Sequence, residues 1–130
     1  MVREGGCLCG KVRFVIDLEN AETSNCHCRD CQKFHGAPCG TYTSVNRNQF
    51  TWLQRPKGQF MASPKATRRF CLECGTSLTW EGRDYPERIS IATCTLDDMS
   101  DIHISYEIFT RSRMNDIPAI ESAEQFKEEG

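Results

Sequence analysis

Along most of the chain apolar residues alternate with polar ones in short runs, the period of two that a half-buried strand requires. Val12, Phe14 and Ile16 fall on one side of the stretch from Gly10 to Asp17. Further strand signals follow: Ala37 to Val45, rich in Thr and Tyr; Gln49 to Leu53 with Phe50 and Trp52; Thr67 to Cys71 with Phe70; Thr76 to Trp80 with Leu78. Glu87 to Thr93 sets Ile89 and Ile91 on one side, and Ile102, Ile104, Tyr106 and Ile108 make the most regular period-two run of all. Gly5-Gly6, Asn46 with Asn48, Pro56-Lys57-Gly58, Pro64, Gly75, Gly82 and Pro86 break these runs at close intervals. Asp30 to His35 reads as one helical turn, and Ser122 to Glu129 has helical propensity with only Phe126 as an apolar anchor. The expectation is a mainly β protein.

Closely spaced turns leave no room for a linker, and 130 residues suit one compact domain. We expect a single domain over 1–130, with a core at about 5–120 and an acidic tail, 121–130, that is frayed or loosely docked. With 38% hydrophobic and 26% charged residues the chain is of ordinary globular composition, and no apolar run approaches the roughly 18 residues of a membrane span. The first residues, Met1 to Gly6, offer no apolar stretch for a signal peptide, so a cytoplasmic, reducing compartment is the expected setting. A net charge of -2 argues against a nucleic-acid partner, because phosphate binding calls for a basic excess. Nothing in the pattern sets an oligomeric state.

Nine cysteines change this picture, since an odd number cannot pair off within one chain and reduced thiols need another use. Cys7-Leu8-Cys9 precedes the first strand, and Cys71-Leu72-Glu73-Cys74-Gly75 sits between two later ones. The C-x-x-C-G spacing is that of a zinc knuckle, and the two pairs together supply the four thiolates of a closed structural site. Cys26-His27-Cys28-Arg29-Asp30-Cys31 packs three thiols into one loop. Three protein ligands with a fourth place open is the arrangement of a catalytic zinc, whereas closure by His35 or by Cys39 would make this second site structural too. Buried small residues and a redox cluster are the competing readings of these thiols, and neither explains the whole set. Cys94 stands alone and reads as a packed thiol. His27 lies between two ligands and reads as a hydrogen-bonding residue, His103 as exposed, and His35 as the histidine placed to reach the open position.

Gly6-Cys7-Leu8-Cys9-Gly10 with Val12-Arg13-Phe14, then Cys26-His27-Cys28-x-x-Cys31, His35-Gly36-Ala37-Pro38, Gly40-Thr41-Tyr42, Arg69-Phe70-Cys71-x-x-Cys74-Gly75 and Thr95-Leu96-Asp97-Asp98 resemble the glutathione-dependent formaldehyde-activating enzyme family, which shares its domain with centromere protein V. The likeness spans residues 5 to 126. It implies a β-tent fold of small antiparallel sheets, a structural zinc on Cys7, Cys9, Cys71 and Cys74, and a catalytic zinc on Cys26, Cys28 and Cys31. The activity it implies is that of a carbon–sulfur lyase resembling S-(hydroxymethyl)glutathione synthase, with glutathione and formaldehyde or their adduct as small-molecule partners. His35 completes the candidate catalytic set. Glutathione's two carboxylates direct attention to cations near the site: Arg29 and Lys33 beside the triplet and Arg69 before the knuckle, with Arg68, Arg111 and Arg113 as further candidates. Cys94, Met99 and the stretch Met114-Asn115-Asp116 depart from the family pattern, the last by lacking a Trp. A zinc-stabilised protein-interaction module without catalysis is the alternative reading.

Overall fold

The structure is a computed structural model describing residues 1–129. In chain order its strands are β1 (Val2–Gly6), β2 (Arg13–Asp17), β3 (Glu22–Cys26), β4 (Gly40–Asn46), β5 (Phe50–Gln54), β6 (Gly58–Ser63), β7 (Ala66–Phe70), β8 (Ser77–Gly82), β9 (Arg88–Ala92), β10 (Tyr106–Ile108) and β11 (Glu124–Gln125). The helix α1 (Arg29–His35) lies between β3 and β4. A three-stranded antiparallel sheet runs β1-β2-β5, and a second sheet runs β11-β10-β3-β4-β9-β8-β7-β6. The mainly β, β-tent expectation therefore holds, with two parallel pairings, β10 to β3 and β10 to β11, at one end of the larger sheet.

The period of two decides what each face of the larger sheet does. Register aligns Tyr106 with Ser24 and Ser24 with Tyr42, then Ser44 with Ser90, Ser90 with Trp80 and Trp80 with Arg68. These residues share a face that is not filled by the core. Val45, Ile89 and Ile91 point the other way and are at most 1% exposed; they pack with Phe14 and Ile16 of β2 and with Leu78 and Leu96. The same inner face carries a chain of buried hydroxyls, Thr23 to Thr43 at 2.8 Å and Thr43 to Thr93 at 2.9 Å, which satisfy one another without water.

Three elements differ from the sequence expectation. The regular run of 102–108 forms a strand only at Tyr106–Ile108, where it pairs with Ser24, Asn25 and Cys26 of β3. Ile102 is instead half-buried against the core from an irregular segment. Second, β3 has no apolar alternation, yet Thr23, Ser24, Asn25 and Cys26 are all buried, because polar partners satisfy it on its inner face. Third, the acidic tail, expected to be frayed or loosely docked, is docked by a strand pairing and its 122–129 stretch is not helical. β11 pairs with β10, Phe126 donates to the Glu107 carbonyl at 2.9 Å and packs its ring 6.2 Å from that of Tyr106, and the Glu128 carbonyl accepts from Phe109. An otherwise open edge of β10 and one apolar anchor are enough to dock it; only Gly130 lies outside the described residues.

Phe14 is fully buried between the sheets. Phe14→Ala should lower unfolding free energy by about 3–5 kcal/mol, read from urea denaturation, because the surrounding strands cannot close over the space.

Candidate functional site

Two tight turns bring four sulfurs together. Cys7 and Cys9 lie between β1 and β2, and Cys71 and Cys74 between β7 and β8; their Sγ atoms all fall within 4.8 Å of one another. Cys7 and Cys9 are 3.5 Å apart and Cys9 and Cys71 3.7 Å. Four sulfurs at about 2.3 Å from one zinc ion stand roughly 3.8 Å apart, so the donor set and its spacing fit a tetrahedral metal. Gly75 makes the turn possible: at φ 78 it is left-handed, and its N–H reaches the Cys71 carbonyl at 2.8 Å. The Val12 N–H donates to Cys7 Sγ at 3.2 Å, as expected of a thiolate acceptor. The Thr76 hydroxyl and backbone pull Cys74 down to about 5, whereas at Cys9 the pull of the Lys11 N–H is outweighed by partial desolvation together with the neighbouring sulfurs, which push it up to about 12.

The second cluster forms where β3 hands over to α1. Cys26 ends the strand, Cys28 caps the helix by accepting from the Cys31 N–H at 3.3 Å, and Cys31 sits in the first turn; their three sulfurs are again within 4.8 Å. Neither His35 nor Cys39 joins this group among the described residues. Hydrogen bonds with Cys26 and Cys31 pull the Cys28 thiol far down, and those with Cys28 and Cys31 push Cys26 up. Such a split marks close thiols that can all ionise only beside a cation. The set fits a metal with three protein ligands.

Arg68 stands behind this cluster. It is 3% exposed, donates to Cys31 Sγ at 3.6 Å and to the Tyr42 hydroxyl at 2.9 Å, and lies over the Phe34 ring at 5.0 Å. A guanidinium only donates, so the Tyr42 oxygen accepts from Arg68 and its O–H is free to donate to His35 Nε2, 2.6 Å away, an arrangement that puts the imidazole proton on Nδ1. Burial, helped by Arg68, holds the His35 pKa below its usual value, in keeping with a neutral ring. Gly40 lets this arrangement close, since a Cβ there would stand 2.8 Å from both the His35 and Tyr42 rings.

On the opposite face of β3 a second network fixes the same loop. His27, fully buried, shares a 2.8 Å hydrogen bond from Nε2 with Glu107, which also accepts from Asn25, Gln125, Arg113 and the Ile120 N–H. Burial by itself would push this carboxyl up, yet those donors outweigh it and hold the pKa down at about 2. The sequence gives no period or spacing from which Glu107 could be singled out.

The three sulfurs open into a cavity of about 490 Å³ on the uncored face of the larger sheet, within the size range of small-molecule sites. Tyr42, Trp80, Tyr85, Tyr106 and Phe109 line it. Of the candidate cations, Arg68 is among the residues lining it and the others are not. Arg29 donates to Gln32, Arg69 pairs with Glu81 at 2.6 Å, Arg111 with Glu128 and Arg113 with Glu107; Lys33 is exposed. Arg68, one register position from Arg69, is the arginine at the cluster.

Residues 2–112 match the sequence profile described as glutathione-dependent formaldehyde-activating enzyme. The chain belongs to this family. An uncharacterized lyase of Schizosaccharomyces pombe is 32% identical to this family member over 80 residues, which are 58% of the chain and 54% of the yeast protein, so the match spans about half of that relative. A crystal structure of a Rhodobacter sphaeroides protein superposes with a TM-score of 0.64 at 19% identity, covering 75% of this chain and 91% of the other, and shows the same fold. Within the family's domain, both cysteine clusters are groups that could hold a metal ion.

Native mass spectrometry of protein loaded with zinc should count two ions per chain, and one in Cys71→Ser, whose thermal midpoint should also fall because metal affinity contributes folding free energy. Glu107 titrates at about 2 in the folded chain, against about 4.3 when exposed. It therefore stabilises the fold above pH 4.3, and this contribution is lost as pH falls toward 2. Glu107→Gln should cost about 2–3 kcal/mol at pH 7, with the difference from the parent shrinking through that window in paired denaturation curves.

Proposed function

We propose that the protein is a zinc-dependent carbon–sulfur lyase that joins formaldehyde to a thiol, or releases it from the adduct, at the three-cysteine cluster. The observation that carries this reading is a trio of sulfurs, joined by no further His, Cys, Asp or Glu ligand among the described residues, opening into a cavity large enough for a small thiol. Glutathione is the thiol in the family's description. In the joining direction sulfur attacks the carbonyl carbon, the C–S bond forms, the π pair moves to oxygen and the S–H proton ends there, giving S–CH2–OH; release is the reverse.

Zinc held by Cys26, Cys28 and Cys31 would supply the positive charge that makes a thiol a thiolate near neutral pH. The remaining work falls to the chain. Arg68 offsets the negative charge of the sulfurs from beneath, where its two donors are fixed by Cys31 and Tyr42. Tyr42 lines the cavity while its hydroxyl rests on His35, so His35 acts through Tyr42 as the proton carrier, not by reaching the cluster itself. Trp80 and Phe109 exclude water from one side of the reacting carbon. Nine free thiols call for a reducing compartment such as the cytoplasm. No helix among the described residues is long and apolar enough to cross a membrane.

Exchange NMR on mixtures of formaldehyde, a thiol and their adduct tests the reading, run with glutathione and with small alkyl thiols. The protein should accelerate exchange with at least one of them, Cys28→Ser should abolish the acceleration while the β-rich circular dichroism is kept, and Tyr42→Phe should reduce it on the order of a hundredfold. Equal rates with and without protein for every thiol would sink the proposal.

A further inference from the structure

The charges around the cavity bear on which thiol it serves, and this inference rests on the lyase reading just given. Asp30, Asp84 and Glu129 line the cavity with exposed carboxylates, and among the described residues lining it Lys65 is the single exposed cation. Arg68 lines it too, but it is buried and committed to Cys31 and Tyr42. The arginines that could have met glutathione's carboxylates are turned to Gln32, Glu81, Glu128 and Glu107. Three thiolates on a divalent ion would carry one further negative charge, which Arg68 beneath them balances, so the excess in this space is that of the three carboxylates over Lys65. Any anionic ligand thus enters a field of its own sign, at distances where Coulomb energy in a half-wet site is substantial.

The walls point the same way. Trp80, Tyr85, Tyr106 and Phe109 present aromatic surface to the cavity, and aromatic faces attract a desolvated cation. Phe109 is held there at φ 54, a backbone conformation that a bulky side chain avoids, with its N–H fixed by the Glu128 carbonyl at 3.0 Å. Tyr106 is braced from behind by Phe126.

We infer that the thiol of this site carries a positive charge, an amino or quaternary ammonium group, on the body that fills the aromatic cavity, and not glutathione's pair of carboxylates. Its S-hydroxymethyl adduct breaks or forms the same C–S bond, with the proton moving between sulfur and the formaldehyde oxygen as above.

Protein loaded with cobalt in place of zinc reports thiol ligation through its visible absorption. It is titrated with thiocholine, 2-mercaptoethanol, 3-mercaptopropionate and glutathione, each affinity being corrected for the thiol's own acidity. Thiocholine should bind on the order of tenfold more tightly than 3-mercaptopropionate at low ionic strength, and that ratio should contract in high salt and in Asp84→Asn. An anionic thiol binding tightest, or a ratio indifferent to salt and to Asp84, would overturn the inference. Exchange NMR with the same thiols separates the two readings. Turnover that favours glutathione keeps the lyase and removes the cationic substrate, whereas the expected binding order without turnover of any thiol keeps the cationic ligand and removes the lyase. A cobalt spectrum that no thiol perturbs overturns both.

Discussion

Seven thiols held in two groups, each with its sulfurs within 4.8 Å of one another, cannot all ionise side by side unless a cation takes up their charge. That constraint organises the chain. The four-sulfur group pins the start of the small sheet to the β7–β8 turn of the large one, joining elements more than sixty residues apart in sequence. The three-sulfur group closes the handover from β3 to α1, and there the protein supplies charge of its own: Arg68 lies under Cys31 with almost no exposure to water. A buried guanidinium is costly unless something nearby carries the opposite charge. Its position fits thiolate character in the sulfurs beside it, the state in which they could hold a metal.

The larger sheet separates two tasks by the parity of its residues. Odd positions on its central strands, such as Val45, Ile89 and Ile91, close the core against β2. Even positions, such as Ser44, Ser90, Trp80 and Arg68, are aligned by register on the opposite face and leave room for a ligand beside Cys26, Cys28 and Cys31. One set supplies stability and the other a site, and a one-residue slip of β7 or β8 would exchange them.

This parity explains what the sequence could and could not disclose. The cysteine motifs were legible because metal spacing is local: Cys71 and Cys74 lie within one turn, as do Cys26, Cys28 and Cys31, and the structure gathers each set as its spacing implies. The strands of the core were legible because alternation marks them. Arg68 and Arg69 were not distinguishable, since neighbouring identical residues on a strand differ only in the face they take, and that is fixed by pairing with Trp80 and Thr79 rather than by any local feature. Glu107 was invisible for a related reason. Its environment is built from Asn25, His27, Arg113, Ile120 and Gln125, which come together only when β3, β10 and β11 are in register. The 102–108 run misled because a period of two says that a segment could be a strand without saying that a partner is present to pair with it.

The docked carboxyl-terminal segment ties these points together. Phe126 and Glu128 hold β10 and Phe109 from one side, while Gln125 and the Ile120 N–H hold Glu107 from beneath. Glu107 in turn orients His27, which stands between two cysteines of the three-sulfur cluster. Phe109 and Tyr106 contribute cavity wall from the same short strand and its exit. A segment that composition alone marks as a loose acidic end thus sets both the loop that presents the sulfurs and the aromatic surface facing them. The geometry of the cluster and the shape of its ligand space depend on one edge pairing, and a change at that edge acts on both together.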